Sequence, residues 1–151
     1  HALADIYFGM ESYKLAEKLF LRSLLDFRMV SAGGTTVQKD ANRITVDLSK
    51  TYDALGKTDE AIGYLIPLLN GNGSIDLATT LLNNLIKKNN IDKKNFKKKL
   101  DASFDTLDLL RNDGTYTFSF NGKMVFFISV FNKTKSSFAQ EVKETDFYKS
   151  L

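Results

Sequence analysis

The sequence predicts a mainly α fold in which antiparallel helical hairpins stack, followed by a C-terminal β-hairpin and a short terminal helix. Apolar residues recur at steps of three and four over most of residues 2–111, which is the helical period. Two β-rich runs, residues 115–120 and 123–131, flank Asn121-Gly122, the strongest short hairpin signal. One proline and no tryptophan in 151 residues fit a helical body with short connections.

The composition is that of an ordinary globular domain with few catalytic resources. The chain is long enough for one domain with a buried core, and its net charge is +3. No apolar run is long enough to span a bilayer, and the opening HALADIYFGM lacks the features of a signal peptide, which favours a cytoplasmic location. There is no cysteine, and His1 is the only histidine, so disulfides, thiolate metal sites and imidazole-assisted nucleophiles are excluded. We therefore expect no enzymatic activity, no metal and no cofactor.

The first half of the chain predicts four helical segments. Residues 2–29 form two segments, or one helix with a break, near Gly9, and the polar stretch 31–42 is expected to be a loop. A helix over 41–55 should end at Gly56, because glycine tolerates positive φ. The next helix begins at Thr58.

The middle of the chain continues the helical pattern. Pro67 is expected to kink or end the helix that contains it, and residues 70–74 form a second loop. A helix over 75–88 and another over 92–111 follow, separated by the polar pair Asn89-Asn90.

The C-terminal part changes from helical to strand patterning. The run 115–120 alternates aromatic with small polar residues, as in a strand with one buried face, whereas 124–131 is almost continuously apolar, as in a strand covered on both sides. Because an isolated hairpin is marginally stable, it must pack on helices, a further strand or another chain. A terminal helix capped by Ser136 or Ser137 ends the chain.

Two segments of the helical part align without gaps. Residues 7–24 and 52–69 match at Tyr7 with Tyr52, at Ala16 with Ala61 and at Phe20 with Leu65, a spacing of 45 residues. A small residue in the second helix of each pair lets helices approach closely, and such units bury their apolar faces by stacking.

The second copy carries the order Tyr52, Leu55-Gly56, Asp59-Glu60-Ala61 and then a large apolar residue. This order resembles the tetratricopeptide repeat (TPR), although the period of that family is about 34 residues. The resemblance covers residues 3–70 and, in degenerate form, extends to 111. It implies TPR-like helical repeats over 1–111, with 112–151 packing on the end of the stack. The alternative is an unrelated helical bundle that contains one such hairpin.

The resemblance also implies a concave groove lined by the first helix of each pair, which would receive a peptide or protein segment. Carried onto this sequence, the groove residues are Asp5, Phe8, Arg43, Val46, Lys50 and Asp53. Arg43 and Lys50 lie two turns apart and could pair with acidic side chains or a C-terminal carboxylate. The alternative is that they are two solvated residues on a helix surface.

Residues 87–100 form the most basic segment. The segment contains seven lysines and one acidic residue, Asp92, which gives a charge of 7 − 1 = +6. The rest of the chain therefore carries about −3. Its centre is a candidate patch comprising Lys93, Lys94, Lys97, Lys98 and Lys99. Such a patch attracts nucleic acid, an anionic membrane or an acidic partner. The segment has no arginine and Phe96 as its sole aromatic, which disfavours nucleic acid and leaves a solvated helix face as the alternative.

The sequence thus predicts a non-catalytic protein- or peptide-binding scaffold module, expected to be part of a longer protein. Two rivals remain open. One is a structural or assembly subunit that dimerises through the C-terminal hairpin, since an exposed strand edge invites pairing. The other is a regulatory or enzymatic domain with a site on the hairpin face.

Overall fold

The computed structural model describes residues 2–26, 34–70, 74–112 and 114–151, and the predicted mainly α class is confirmed. Within these residues there are eight α-helices, three strands and one 3-10 turn. The helices are α1 (Ala2–Gly9), α2 (Tyr13–Asp26), α3 (Gly34–Ala54), α4 (Thr58–Leu65), α5 (Ile75–Lys88), α6 (Lys93–Phe104), α7 (Lys135–Lys143) and α8 (Asp146–Lys149). The strands are β1 (Asp108–Arg111), β2 (Thr115–Phe120) and β3 (Lys123–Ile128), and the 3-10 turn is Ile66–Leu69.

The helix boundaries that depend on single residues are confirmed. Helix α1 ends at Gly9, and Glu11 at φ 60° turns the chain into α2. Gly56 has φ 75°, and the N–H of Lys57 donates to the carbonyl of Tyr52 at 2.9 Å, which closes the end of α3. Helix α4 ends just before Pro67, where the 3-10 turn begins. Local chemistry alone was sufficient to place these ends.

The predicted loop over 31–42 is wrong from residue 34 onward, because α3 begins at Gly34; residues 31–33 lie outside the described part of the chain. Buried Gln38 anchors the first turns of this helix to the distant sheet. Its Nε2 donates to the carbonyl of Ile128 at 2.8 Å, and its Oε1 accepts from the N–H of Val130 at 2.9 Å. A second bond from Nε2 reaches Asn42. Tertiary contacts therefore stabilise a helix in a segment whose local preferences favour a loop.

Helix α5 spans the predicted 75–88, but the predicted helix over 92–111 is wrong beyond Phe104. The chain leaves the helix and forms β1, which pairs antiparallel with β2. Thr106 fixes this exit, since its Oγ1 accepts a 2.7 Å hydrogen bond from the N–H of Ser119. The leucines of this stretch have helical spacing, but pairing with β2 stabilises a strand there instead of a helix.

The three strands form one antiparallel sheet in the order β1-β2-β3. The predicted hairpin turn is confirmed, with Asn121 at φ 51° and Gly122 at φ 80°. Strand β3 stops at Ile128, short of the predicted 124–131, and Met124 is 57% exposed, so this strand is not covered along its whole length. One face of the sheet is buried by the helices.

The cap of the terminal helix α7 differs from the prediction. Thr134, not Ser136 or Ser137, is the N-cap residue, because its side chain accepts from the N–H of Ser137. The Ser137 side chain accepts in return from the N–H of Thr134, which completes a capping box. Ser137 therefore takes part in the cap from the third helical position.

Aromatic side chains join the sheet to the helices. Phe138 of α7 lies 5.4 Å from Phe118 and 5.5 Å from Phe127, measured between ring centroids. Phe96 of α6 contacts Phe120 at 5.8 Å and Phe147 at 6.0 Å. Such pairs stabilise beyond their buried area. The β-hairpin is consequently part of the hydrophobic core, as its marginal stability in isolation required.

The helical part is arranged so that successive helices pack on one another: α1 on α2, α2 on α3, α3 on α4 and α4 on α5. Tyr52 of α3 stacks on Tyr64 of α4 with ring centroids 5.5 Å apart, and Ser49 Oγ donates to the Ala61 carbonyl at 2.6 Å. Ala16 and Ala61, the small residues of the aligned segments, are both fully buried. Both small side chains therefore lie within the helical core.

Candidate functional site

Four of the predicted groove residues lie on α3 at the spacing 43, 46, 50 and 53, which places them along one side of the helix. Arg43 and Lys50 are exposed, and Asp53 is half-buried. Val46 is buried and belongs to the core, so it supports this side of α3 from beneath without facing a ligand. The accessible surface of α3 is therefore charged.

The two predicted residues on α1 occupy different environments. Asp5 is exposed, whereas Phe8 is half-buried and packs edge-to-face on Tyr13, with ring centroids 5.3 Å apart. Phe8 thus joins α1 to the start of α2. Of the two, Asp5 has the more accessible side chain.

Charges from α1 and α3 meet around Asp47. Burial raises the pKa of the Asp47 carboxyl above its usual value and the charge of Asp5 raises it further, whereas Lys50 and Arg43 lower it. Arg43, Asp47 and Lys50 follow one another at steps of four and three residues, so they lie on one side of α3. We call these three residues the charged surface of α3, and the charge of Asp5 on α1 acts on its central carboxyl.

A pocket lies between α3 and α5, over the end of α4. It has a volume of about 170 Å³ and an apolar floor formed by Leu65, Leu81 and Leu85. Lys50 and Asp53 line it from α3, and Lys88 lines it from α5. The pocket therefore combines a small apolar interior with charged groups of both signs.

An ion pair crosses the pocket between the two helices. Lys88 Nζ lies 2.9 Å and 3.1 Å from the two carboxylate oxygens of Asp53, and the two side chains are 61% and 33% exposed. Exposed pairs of this kind contribute about 0–1 kcal/mol to stability. A ligand that competes for either partner would consequently displace it at low cost.

The residues that line this pocket were only partly predicted from the sequence. Lys50 and Asp53 on α3 were predicted groove residues, whereas Leu81, Leu85 and Lys88 on α5 were not. Leu81, Leu85 and Lys88 follow the helical spacing i, i+4, i+7 on α5. That spacing was the available sequence signal for a pocket on α5. It is equally typical of an apolar stripe that faces the core, and only the position of α5 relative to α3 distinguishes the two.

The predicted basic patch lies on α6. Lys93, Lys94 and Lys98 are exposed, and Lys97 and Lys99 are half-buried. Lys97 is held over the ring of Tyr148, 5.1 Å from its centroid. The patch is therefore a surface feature on a different helix from the α3–α5 pocket, and one of its five lysines already has a partner.

The hairpin face offers an edge strand, the feature on which the dimerisation alternative depends. Strand β1 is four residues long, with a register irregularity between Leu109 and Arg111. Leu109 and Leu110 are both about half exposed. Short, irregular edges are poor templates for strand pairing, and dimerisation through this part stays a prediction.

Among the described residues, no three His, Cys, Asp or Glu side chains are grouped so that they could hold a metal ion. No helix in the same residues has the length and apolar character needed to cross a membrane. Comparison of the chain with family models, curated proteins and solved structures finds no match in any of the three. The site's own geometry is thus the basis for a functional hypothesis.

Proposed function

We propose that this chain is a non-catalytic module that binds an extended segment of a partner protein along α1, α3 and α5. The observation that supports this most directly is the pocket between α3 and α5, with its apolar floor and its rim of Lys50, Asp53 and Lys88. Apolar pockets with a few convergent polar groups are the usual form of a binding site.

The size of the pocket suits one side chain. An engineered apolar cavity of about 150 Å³ accepts benzene, so about 170 Å³ accommodates a leucine, methionine or phenylalanine side chain. Burying such a side chain contributes about 1.5–3 kcal/mol. One anchor of this kind gives weak binding, and the neighbouring charges supply the additional contacts and the orientation.

The charged surface beside the pocket would set the preference for a partner. Arg43 and Lys50 attract acidic residues, and the charge of Asp5, on α1, acts on Asp47, which lies between them along α3. A segment with one bulky apolar residue next to an acidic residue matches this order of groups. Electrostatic complementarity of this type contributes more to specificity and association rate than to affinity.

A display selection with random peptides tests the proposal. Peptides enriched on the wild type are titrated against the double variant Arg43→Glu/Lys50→Glu. The control is Lys14→Glu/Lys18→Glu, which makes the same charge change at exposed positions of α2.

We expect the double variant on α3 to weaken binding at least tenfold while the α2 control binds as the wild type does. Thermal denaturation verifies that both variants fold. Equal affinity of all three proteins for the enriched peptides would remove the charged surface of α3 from the account, and failure to enrich any peptide would contradict the proposal as a whole.

A further inference from the structure

Five lysines around the turn between α5 and α6 form a surface that we call the basic ridge: Lys87, Lys93, Lys94, Lys98 and Lys99. Two other lysines of this segment already interact within the chain, Lys88 with Asp53 and Lys97 with the ring of Tyr148. Within the described parts of the chain, the ridge lysines have neither an ion pair nor a hydrogen bond from their side chains. Their charge is left for something outside the fold.

The position of the ridge is unfavourable for the folded chain itself. Lys93 and Lys94 occupy the first turn of α6, where the helix dipole is already positive and acidic residues are preferred. Asp92 is the only acidic group there, and as the N-cap it accepts from the N–H of Asn95. Residues that break a local preference of the helix, with no stabilising contact inside the fold to offset the cost, are characteristic of functional surfaces.

The ridge borders an open depression of about 530 Å³ between the end of α5 and the start of α6. Lys87 and Lys93 line it together with the side-chain amides of Asn83 and Asn90 and with Ser150. These groups offer hydrogen-bond donors alongside two positive charges. The depression is therefore suited to an anionic group that enters from the surface.

The chemistry of the ridge distinguishes between anionic partners. It consists of lysines, which are compact hydrated charges, and lacks the arginine fork that recognises individual phosphates bidentately. Phe96, the aromatic residue of the segment, is 1% exposed and unavailable for stacking on bases. A diffuse negative surface fits these properties better than a nucleic acid.

The charge distribution over the whole chain favours the same kind of partner. The segment 87–100 carries +6 and the remaining residues about −3, so the excess positive charge is concentrated in this segment. A concentrated positive region directs the approach of the molecule to a negative plane. We propose that the basic ridge binds the surface of an anionic lipid bilayer, with lipid headgroups occupying the depression between α5 and α6.

Vesicle co-sedimentation tests this proposal with the whole chain. Vesicles of phosphatidylcholine alone are compared with vesicles that also contain phosphatidylserine. The ridge variant is Lys93→Gln/Lys94→Gln/Lys98→Gln/Lys99→Gln, which leaves Lys88 and Lys97 in their contacts. The control, Lys14→Gln/Lys18→Gln/Lys123→Gln/Lys135→Gln, removes four exposed charges elsewhere.

We expect the protein to bind the vesicles that contain phosphatidylserine and not those of phosphatidylcholine alone. This binding should weaken as salt is added. A lysine near an anionic surface contributes about fivefold in affinity, so the ridge variant should lose several hundredfold and the control far less. Absence of binding, equal binding to neutral vesicles, or equal losses in the two variants would overturn the proposal. Tighter binding of single-stranded RNA or polyglutamate than of the vesicles would overturn it too, since the ridge would then serve that partner.

Discussion

Replacing Gly63 with alanine tests how closely α4 packs on the sheet. A Cβ atom at this position would lie 2.6 Å from Cγ2 of Val125 and 3.4 Å from Cβ of Phe120. Two carbon atoms in ordinary contact are about 3.5–4.0 Å apart. Because Val125 is fully buried in β3, it can yield only if its neighbours move. The added methyl group must therefore separate α4 from the sheet.

The expected magnitude follows from two opposing effects. Overpacking a buried contact costs about 1–3 kcal/mol, and an approach of 2.6 Å belongs in the upper part of that range, about 2–3 kcal/mol. The higher helix propensity of alanine offsets about 1 kcal/mol. We expect Gly63→Ala to lower the free energy of unfolding by about 1–2 kcal/mol. For a domain of this size, each kcal/mol corresponds to about 2–4 °C in Tm.

The assay is urea denaturation of the wild type, Gly63→Ala, Val125→Ala and the double variant. Val125→Ala removes two methyl groups and should cost about 2 kcal/mol by itself. In the Gly63→Ala background it should cost at least 1 kcal/mol less, because it also relieves the overlap. Gly9→Ala is the control, since a Cβ there meets nothing within 4 Å.

Two results would refute this reasoning. The first is a Gly63→Ala protein as stable as the wild type, which would mean that α4 and β3 are not in close contact. The second is strict additivity of Gly63→Ala and Val125→Ala, which would mean that the cost of the alanine does not arise from Val125.

Two further predictions concern polar anchors. Gln38→Leu should cost about 2–4 kcal/mol in a denaturation experiment, because it leaves the carbonyl of Ile128 and a neighbouring N–H without their buried partner; an unchanged stability would show that α3 does not need this anchor. Burial and the 2.7 Å hydrogen bond to Asp101 raise the pKa of Tyr148 to about 12, above its unfolded value near 10. The folded state therefore holds this proton more tightly, and stability should fall as the pH rises from about 10 to about 12. Tyr148→Phe should cost about 1 kcal/mol at neutral pH and flatten that decline; an equally steep decline in the variant would contradict the assignment.

Local residue chemistry accounts for the parts of the fold that the sequence predicts well. Glycine and asparagine tolerate positive φ better than other residues, and Gly56, Asn121 and Gly122 adopt it at the helix end and the turn that the sequence predicts. Helix α5 begins after a polar stretch of the sequence and ends at the polar pair Asn89-Asn90, so its bounds could be stated in advance. None of these features depends on a residue far away in the sequence.

The elements that the sequence missed depend on distant partners. The first turns of α3 are helical because Gln38 reaches the end of β3, 90 residues away. Strand β1 exists because β2 offers it a pairing edge, although Leu107 and Leu110 continue the apolar period of α6. A single sequence does not show which distant residues will lie close together, and those contacts decide whether such a segment forms a loop, a helix or a strand.

The same division applies to the candidate site. The resemblance to the TPR pattern placed Lys50 and Asp53 in the expected groove, but it also placed Val46 there, which the core buries. Leu81 and Lys88 were not predicted as groove residues, because α5 lacks the tyrosine and the Leu-Gly pair on which the resemblance of residues 52–69 depends. Their role depends on the neighbouring helix.

The most direct test of the account is whether the pocket between α3 and α5 takes up a peptide side chain. Leu81→Trp fills the pocket, and Leu77→Trp places the same residue on the exposed side of α5, where Leu77 is 49% exposed. The chain contains no other tryptophan, so fluorescence reports on each variant. Titration with a peptide enriched by display should give wild-type affinity for Leu77→Trp and a loss of about 10- to 150-fold for Leu81→Trp, the value of one buried apolar side chain. Equal affinity of the two variants would contradict the account.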